Sequence, residues 1–230
     1  MIYKQEKLTP KERRAQEAFE KTLSHIQRKT KNPIIVAFIG LVGSGKSSVA
    51  KELAKHIGAV VIEGDAIRVE LRKQSECYER ARLIAENVAL RAIERGANVV
   101  LDSDFIDANK RASIRKKAQQ RRARLVFVRT HCDIDVMVGH TLSANYKDTT
   151  DDFFGGASSS WGGSAQSKGA AVKVREMYRR TPQHYQWINK DGGAWKLKKL
   201  PFQVLAMIDT TDTALWKKQV AQLAKKLGVA

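Results

Sequence analysis

The fold of this chain is decided by residues 34–47, IIVAFIGLVGSGKS. Six consecutive apolar residues are typical of a strand that is buried on both faces. The residues from Gly40 to Ser47 then match the phosphate-binding pattern G-x-x-x-x-G-K-[ST]. In this pattern the glycines let backbone N–H groups wrap around phosphates, and the following helix adds the positive end of its dipole. The stretch therefore predicts ATP binding.

The residues of this P-loop have separate expected roles. We expect Lys46 to contact the β- and γ-phosphates and to act in catalysis, and the Ser47 hydroxyl to bind Mg²⁺. ATP and Mg²⁺ are therefore the predicted cofactors. The predicted ATP-binding residues are Gly40, Leu41, Val42, Gly43, Ser44, Gly45, Lys46, Ser47 and Ser48.

Apolar strands alternate with helices on the C-terminal side of the P-loop. Uninterrupted apolar strands between helices indicate a parallel sheet that is covered on both faces. The predicted fold is α/β, a doubly wound and mostly parallel sheet of five strands. The strand patterns occur at 34–39, 59–62, 97–101, 125–129 and 202–208, and the helical patterns at 46–57, 66–95, 108–122, 134–145 and 213–227.

Two polar residues follow the second strand, at the edge where open parallel sheets bind ligands. Asp65 is suited to accept the proton of an attacking hydroxyl, so we predict that it is catalytic. Arg68 is three residues further on, and we predict that it binds an anionic acceptor together with Asp65. The alternative is that Asp65 only caps the following helix.

Two acids, Asp102 and Asp104, follow the apolar run of the third strand. An apolar strand followed by Asp is typical of a carboxylate that orients Mg²⁺ directly or through water. Asp102 directly follows the apolar residues, so it is the predicted metal ligand beside Ser47. For Asp104 the alternatives are a helix cap and a position facing the acceptor.

These motifs together resemble the AAA-type P-loop kinases related to polynucleotide 5′-kinase, zeta toxin and chloramphenicol phosphotransferase. The resemblance covers residues 34–225 and implies a five-stranded parallel core, use of Mg·ATP and an Asp that activates the acceptor hydroxyl. It also implies a lid whose arginines close over the phosphates, and it places Arg111 among the acceptor-binding residues. The residues that carry it are 40–47, Asp65, Arg68, 99–105, Asp107, Asn109, Arg111 and 208–210.

The lid departs from that pattern. The helix after the fourth strand contains no arginine, and arginines return only after a Gly/Ser-rich insert. Arg175 and Arg179 are i,i+4 neighbours, and we predict that they are catalytic residues of a flexible lid insertion at 147–180. An ordinary basic helix is the alternative. His140 is interpreted as a structural residue.

The domain organisation is predicted as a basic helical extension, residues 1–33, followed by the kinase-like domain, residues 34–230. A capping box from Thr9 to Glu12, with Pro10 at the first helical position, begins a polar helix. Because its apolar stripe is thin, we expect this helix to lie on the domain without joining the core.

The formal net charge of +18 indicates polyanionic partners. Much of this charge lies in 107–125 and in 173–199, where Tyr185, Trp187 and Trp195 are interleaved with lysines. Such aromatics stack on bases in nucleic-acid-binding proteins, but they equally form small clusters beneath a loop, and we prefer the second interpretation. Nucleic acid stays a candidate partner beside ATP and an anionic, hydroxyl-bearing acceptor.

The sequence carries no signal for a membrane or for export. It contains no apolar run of 18 residues, no signal-peptide pattern and only two cysteines, which lack metal-ligand spacing. We expect a cytoplasmic protein without a membrane partner.

The predicted function is transfer of the γ-phosphoryl group of Mg·ATP to a hydroxyl of a nucleotide-bearing acceptor, such as a polynucleotide 5′-OH. The first alternative is a small-molecule or nucleotide-sugar kinase of the zeta-toxin or antibiotic-phosphotransferase type. The second is an ATPase switch without an acceptor. Asp65 and Arg68 weigh against the switch, because a switch has no hydroxyl to activate.

Overall fold

The computed structural model describes residues 7–23, 29–146, 165–190 and 192–228. Residues 147–164, the first part of the predicted lid, lie outside this range. The helices are α1 (Pro10–Thr22), α2 (Lys46–Ile57), α3 (Gly64–Lys73), α4 (Ala81–Glu94), α5 (Ala108–Gln120), α6 (Ile134–Ser143), α7 (Ala165–His184) and α8 (Thr213–Leu227). The strands are β1 (Ile34–Ile39), β2 (Ala59–Glu63), β3 (Asn98–Asp102), β4 (Arg124–His131), β5 (Tyr185–Ile188), β6 (Ala194–Leu197) and β7 (Ala206–Asp209).

Five strands form one parallel sheet in the order β2-β3-β1-β4-β7. The central strand is β1, and all six of its residues are buried, as its continuous apolar run predicted. The carboxyl ends of the strands meet at one edge, where Asp102 pairs with Glu63 and His131 with Asp209. The predicted doubly wound parallel sheet is confirmed.

The two faces of the sheet are covered by different helices. Side chains of a strand alternate between its faces, and the odd-numbered residues of β1 accordingly join one apolar core and the even-numbered residues another. The first core includes residues from α1, α3, α4 and α5. The second includes residues from α2 and α8. Helices α2 and α8 therefore lie on the face opposite to α1, α3, α4 and α5.

Helix α1 is more closely integrated than its sequence indicated. Its capping box between Thr9 and Glu12 forms as predicted. However, Ala15 and Phe19 are buried in the first core, and the Glu12 carboxylate pairs with Arg80. The expectation that this helix stays outside the core was wrong, because even a thin stripe of apolar residues suffices when it includes a phenylalanine that reaches the cluster.

Other elements differ from the sequence-based expectation in their limits. The helical pattern at 66–95 is two helices, α3 and α4, which are separated by a turn in which Ser75 has a φ of 56°. The last strand of the sheet begins only at Ala206, and Phe202, which lies before it in the chain, packs its ring against Phe127. Within the described ranges, no helix is long and apolar enough to cross a membrane.

A short antiparallel hairpin, β5–β6, projects beside the main sheet and was not predicted. Trp187 and Trp195 face each other across it, with ring centroids 5.4 Å apart. Their exposed fractions are 50% and 38%, whereas Tyr185 is buried at the base of the hairpin. The preferred interpretation of these aromatics as a cluster beneath a loop was therefore wrong for the two tryptophans.

Candidate active site

The P-loop joins β1 to α2 and depends on three glycines. Gly43 and Gly45 have φ angles of 82° and 71°, which side chains with a Cβ rarely adopt. A Cβ on Gly40 would lie 2.2 Å from Oγ1 of Thr130. The loop therefore passes too close to its neighbours, and turns too sharply, for larger residues at these positions.

Two threonines at the ends of neighbouring strands hold this loop in place. The hydroxyls of Ser44 and Thr130 lie 2.9 Å apart, and the Thr210 hydroxyl donates to the Ser44 carbonyl at 3.1 Å. Sequence reasoning assigned no role to Thr130. The strand pattern gave its position at the sheet edge, but not the side chain that it would meet there.

Lys46 lies half-buried beneath the loop. Its ammonium donates a hydrogen bond to the Leu41 carbonyl at 2.8 Å. Burial lowers the pKa of Lys46, although the nearby carboxylates of Asp104 and Asp102 oppose that shift. The hydrogen bond to the Leu41 carbonyl thus holds the Lys46 ammonium in the wall of the P-loop cavity.

Asp102 and Ser47 lie together at the sheet edge. Burial raises the pKa of Asp102, although the nearby Ser47 hydroxyl and the charge of Lys46 oppose this shift. A hydroxyl and a carboxylate are oxygen ligands that suit Mg²⁺, which in nucleotide sites takes one or two protein ligands besides phosphates. Among the described residues no group of three or more His, Cys, Asp or Glu forms a metal cluster. The pair therefore fits a magnesium ion that is shared with a nucleotide, rather than an ion held by protein alone.

Asp104 is the centre of a buried network. Its carboxylate accepts hydrogen bonds from the backbone N–H groups of Gly40 and Ile106, at 3.2 and 3.1 Å. The same carboxylate pairs with Arg180 and with Nε2 of His184, both on α7. Burial would raise the pKa of Asp104, but the hydrogen bond from His184 and the charges of His184 and Arg180 hold it well below its usual value. Asp104 therefore joins the P-loop, the end of β3 and α7.

Asp65 lies in the first turn of α3, and its carboxylate faces the P-loop cavity. It pairs with Arg68 on the same helix and with Lys173 on α7, at 3.2 Å in the latter case. Desolvation in the cavity opposes ionisation, but the charges of Lys173 and Arg68 prevail and lower the pKa of Asp65. The helix cap is Glu63, without a side-chain hydrogen bond, so Asp65 does not act as the N-cap.

Two cavities meet beside these residues. The P-loop cavity has a volume of about 790 Å³ and is lined by the P-loop, Asp65, Asp102, Asp104 and residues of α7 and α8. A second cavity of about 760 Å³ lies between α3, α5, α7 and residues 198–202. The residues that line both are Arg68, Asp107, Glu176 and Arg180.

The helix predicted to carry the lid arginines presents different residues to the P-loop cavity. Lys173 and Arg180 line it, whereas Arg175 and Arg179 are not among its lining residues. Arg175 is exposed, and Arg179 lines the second cavity and pairs with Glu176. The two predicted residues therefore lie away from the place where the phosphates of a nucleotide would bind.

The remaining predicted residues have identifiable contacts. Arg111 lines the second cavity together with Arg68, and its guanidinium donates to the carbonyls of Phe105 and Ile106. Nδ1 of His140 lies 3.1 Å from the Gly43 carbonyl, a contact that fits its interpretation as a structural residue.

Comparisons with known proteins agree with this architecture. Residues 35–140 match the family model described as an AAA domain. The fold is similar to that of the APS kinase of Mycobacterium tuberculosis in complex with AMPPNP and APS, with a TM-score of 0.51, 19% identity, and coverage of 86% of this chain and 96% of that one. The chain has the P-loop kinase-like fold. A structure designated APE1195 shares this fold with a TM-score of 0.53 and 15% identity, over 88% of this chain and 100% of that one.

The chain also has curated relatives. An uncharacterised protein of Mycobacterium tuberculosis H37Rv is 32% identical over 135 residues, which are 52% of this chain. A Mycobacterium bovis protein matches to the same extent. The match spans 27% of the length of these relatives, so it concerns a part of each. The solved structures thus show a P-loop kinase-like fold, and the family model matches its first part, residues 35–140.

Proposed function

We propose that this protein transfers the γ-phosphoryl group of Mg·ATP to a hydroxyl group of an acceptor. One observation carries the proposal: the groups suited to Mg·ATP and the carboxylate suited to activate a hydroxyl line the same cavity. These groups are Lys46, Ser47 and Asp102 on one side and Asp65 on the other. The P-loop kinase-like fold supports the nucleotide part of this proposal.

The reaction assigns a step to Asp65. Its lowered pKa keeps the carboxylate ionised at neutral pH, so it can accept the proton of the acceptor hydroxyl. The acceptor oxygen then forms a bond to the γ-phosphorus, and the bond from that phosphorus to the oxygen bridging to the β-phosphate breaks, which releases ADP. Ser47 and Asp102 would hold a magnesium ion, which would supply positive charge beside the phosphate oxygens. Lys46 and Arg180 add positive charge beside them.

The second cavity provides a route for the acceptor. It shares Arg68 with the P-loop cavity, and Arg68 contacts Asp65 directly. An acceptor that enters from this side would bring its hydroxyl to Asp65 without displacing the nucleotide. An ATPase switch without an acceptor gives no role to this cavity, so we consider it less well supported.

A polynucleotide end is a second candidate acceptor, favoured by one observation. The exposed pair Trp187 and Trp195 lies on a hairpin whose second strand leads directly into Lys198 and Lys199 of the second cavity. Exposed aromatics beside basic residues suit stacked bases and their phosphates. A small-molecule acceptor remains the alternative.

The proposal is tested with Lys46→Ala and a screen of phosphate transfer from labelled ATP to oligonucleotides, nucleosides, nucleotides, UDP-sugars and aminocyclic antibiotics. We expect transfer to one class by the wild type and loss of that transfer in the variant, because Lys46 stabilises charge on the transferred group. Lys55→Ala, on the exposed face of the same helix, is the matched control. Circular dichroism checks that both variants fold. Wild-type turnover by folded Lys46→Ala would overturn the proposal.

A further inference from the structure

The second cavity is strongly basic. It is lined by six cationic side chains and three acidic ones. The cationic residues come from α3, α5, α7 and the segment after β6, so four separate parts of the chain bring positive charge to one place. They are Arg68, Arg111, Arg179, Arg180, Lys198 and Lys199.

Arg111 is held rigidly in the wall of this cavity. It is only 7% exposed, its guanidinium lies 3.8 Å from the centre of the Phe202 ring, and Nη1 donates to the carbonyls of Phe105 and Ile106. Its Nε is buried and has no hydrogen-bond partner among the described residues. The hydrogen bonds of this guanidinium go to neutral carbonyls, and the carboxylates of Asp107 and Asp104 act on it without a direct ion pair. A largely buried charge that lacks a contacting counterion attracts an anion.

The cavity also opens toward the reacting groups. Arg68 and Arg180 line both cavities, and each touches a carboxylate of the P-loop cavity, Asp65 and Asp104 respectively. A ligand in the second cavity can therefore contact Arg68, which itself contacts the proposed base Asp65. The residues that contribute neutral surface, among them Leu200, Pro201 and Phe202, form an apolar side of the cavity.

We propose that the second cavity binds a phosphate group that the acceptor carries in addition to its reacting hydroxyl. The substrate class is thus hydroxyl compounds that already bear a phosphate, either small phosphate esters or the end of a nucleic acid strand. Arginine side chains offer paired donors that match phosphate oxygens. Cationic aminocyclic antibiotics are repelled by the same residues. This inference rests on the proposed function but concerns binding, which is measured without turnover.

The test measures binding while Mg·AMPPNP saturates the P-loop cavity, so that phosphates bind elsewhere. Calorimetry compares ribose 5-phosphate with ribose, adenosine 3′-monophosphate with adenosine, and uses inorganic phosphate as the simplest probe. We expect the phosphorylated member of each pair to bind at least about tenfold more tightly, the effect of one charge-assisted hydrogen bond. Equal affinities within both pairs, or no binding by any phosphate-bearing probe, would overturn the inference.

The variant Lys199→Glu tests whether the measured phosphate binds in the second cavity. Lys199 is exposed in the cavity wall, so its substitution should not disturb folding. We expect it to weaken binding of the phosphorylated probes about tenfold or more. The matched control is Lys31→Glu, an exposed lysine before β1 and therefore at the opposite edge of the sheet. If Lys199→Glu and Lys31→Glu bind the phosphorylated probes with the same affinity, the phosphate lies outside this cavity and the inference fails.

A single-stranded oligonucleotide with a free 5′-hydroxyl separates the two sources of phosphate. Tighter binding than adenosine 3′-monophosphate, with quenched tryptophan fluorescence that is lost in Trp187→Ala, identifies a strand end. Equal affinity and unchanged fluorescence identify a small phosphate ester. Failure of the proposed function would be seen in a different measurement. In that case the folded Lys46→Ala variant would transfer phosphate at the wild-type rate, whatever the second cavity binds.

Discussion

His184 donates from Nε2 to the Asp104 carboxylate across 3.0 Å, and this contact joins the end of α7 to the end of β3. Both residues are buried, and the carboxylate also accepts from the backbone N–H of Gly40 at the start of the P-loop. The contact therefore couples the position of α7 to the geometry of the phosphate-binding loop. Because Arg180 shares the same carboxylate, the orientation of this arginine depends on it as well.

We predict that Asp104→Asn lowers the free energy of unfolding by about 3 kcal/mol, since it removes the charge of a buried carboxylate that pairs with half-buried Arg180 and with buried His184. The pKa of Asp104 is lowered in the folded protein, so its contribution is complete above the ordinary value of 3.8 and is lost progressively as the pH falls from there through the lowered pKa. The difference between wild type and variant should therefore shrink in acid. Urea unfolding at pH 7 and at pH 3.5 measures both quantities.

Asp107→Asn is the control for this substitution. Asp107 caps α5 through the backbone N–H of Lys110 on the exposed surface. Asn is as good a cap as Asp, so we expect a loss well under about 1 kcal/mol. Equal losses for Asp104→Asn and Asp107→Asn would show that the buried network contributes no more stability than a surface cap.

We predict that Arg180→Lys lowers kcat about a hundredfold with a much smaller effect on ATP affinity, because a paired donor beside the transferred group is lost. Arg179→Lys, on the preceding residue of the same helix, should retain wild-type kcat at saturating acceptor, since Arg179 lines the second cavity, where a change affects the KM of the acceptor. Steady-state kinetics on both variants decides. A larger effect for Arg179→Lys would restore the sequence-based assignment of the lid arginines.

The position of α7 shows where sequence reasoning ends. The P-loop was recognised because its chemistry depends on a local pattern, and β1 was found because its apolar run is unbroken. On α7 the buried positions mix apolar Val172 and Met177 with polar Glu176, Thr181 and His184, so hydrophobicity alone does not mark the buried side of the helix. The sequence shows Arg175 and Arg179 as an i,i+4 pair, but it does not show which side of the helix faces the P-loop cavity. Asp104 and His184 are 80 positions apart in the sequence, so no local pattern predicts their contact.

We predict that Asp102→Asn stabilises the protein at neutral pH while it weakens Mg²⁺-dependent nucleotide binding. Burial raises the pKa of Asp102, so the folded state loses stability as the pH rises from the ordinary value of 3.8 through the raised one. The amide carries no charge and avoids this cost, but it is a poorer ligand for Mg²⁺. Thermal melts at pH 7 and pH 4 should show a gain in Tm for the variant at pH 7 that shrinks at pH 4. A variant that melts below wild type at pH 7 would contradict this.

The last prediction concerns the contact between Lys173 and Asp65, at 3.2 Å. Desolvation in the cavity opposes ionisation of Asp65, and the charges of Lys173 and Arg68 together lower its pKa. Lys173→Met removes one of these charges, so the pKa of Asp65 should rise, and the acidic limb of the kcat/KM profile should move to higher pH. The measurement uses saturating Mg²⁺, so that Asp102 does not add a limb of its own. Arg175→Met is the control, because it removes an equal charge from the exposed side of the same helix and should leave the limb in place. If Lys173→Met and Arg175→Met shift the acidic limb equally, the effect comes from the overall charge of the protein. The assignment of Asp65 as the base would then be contradicted.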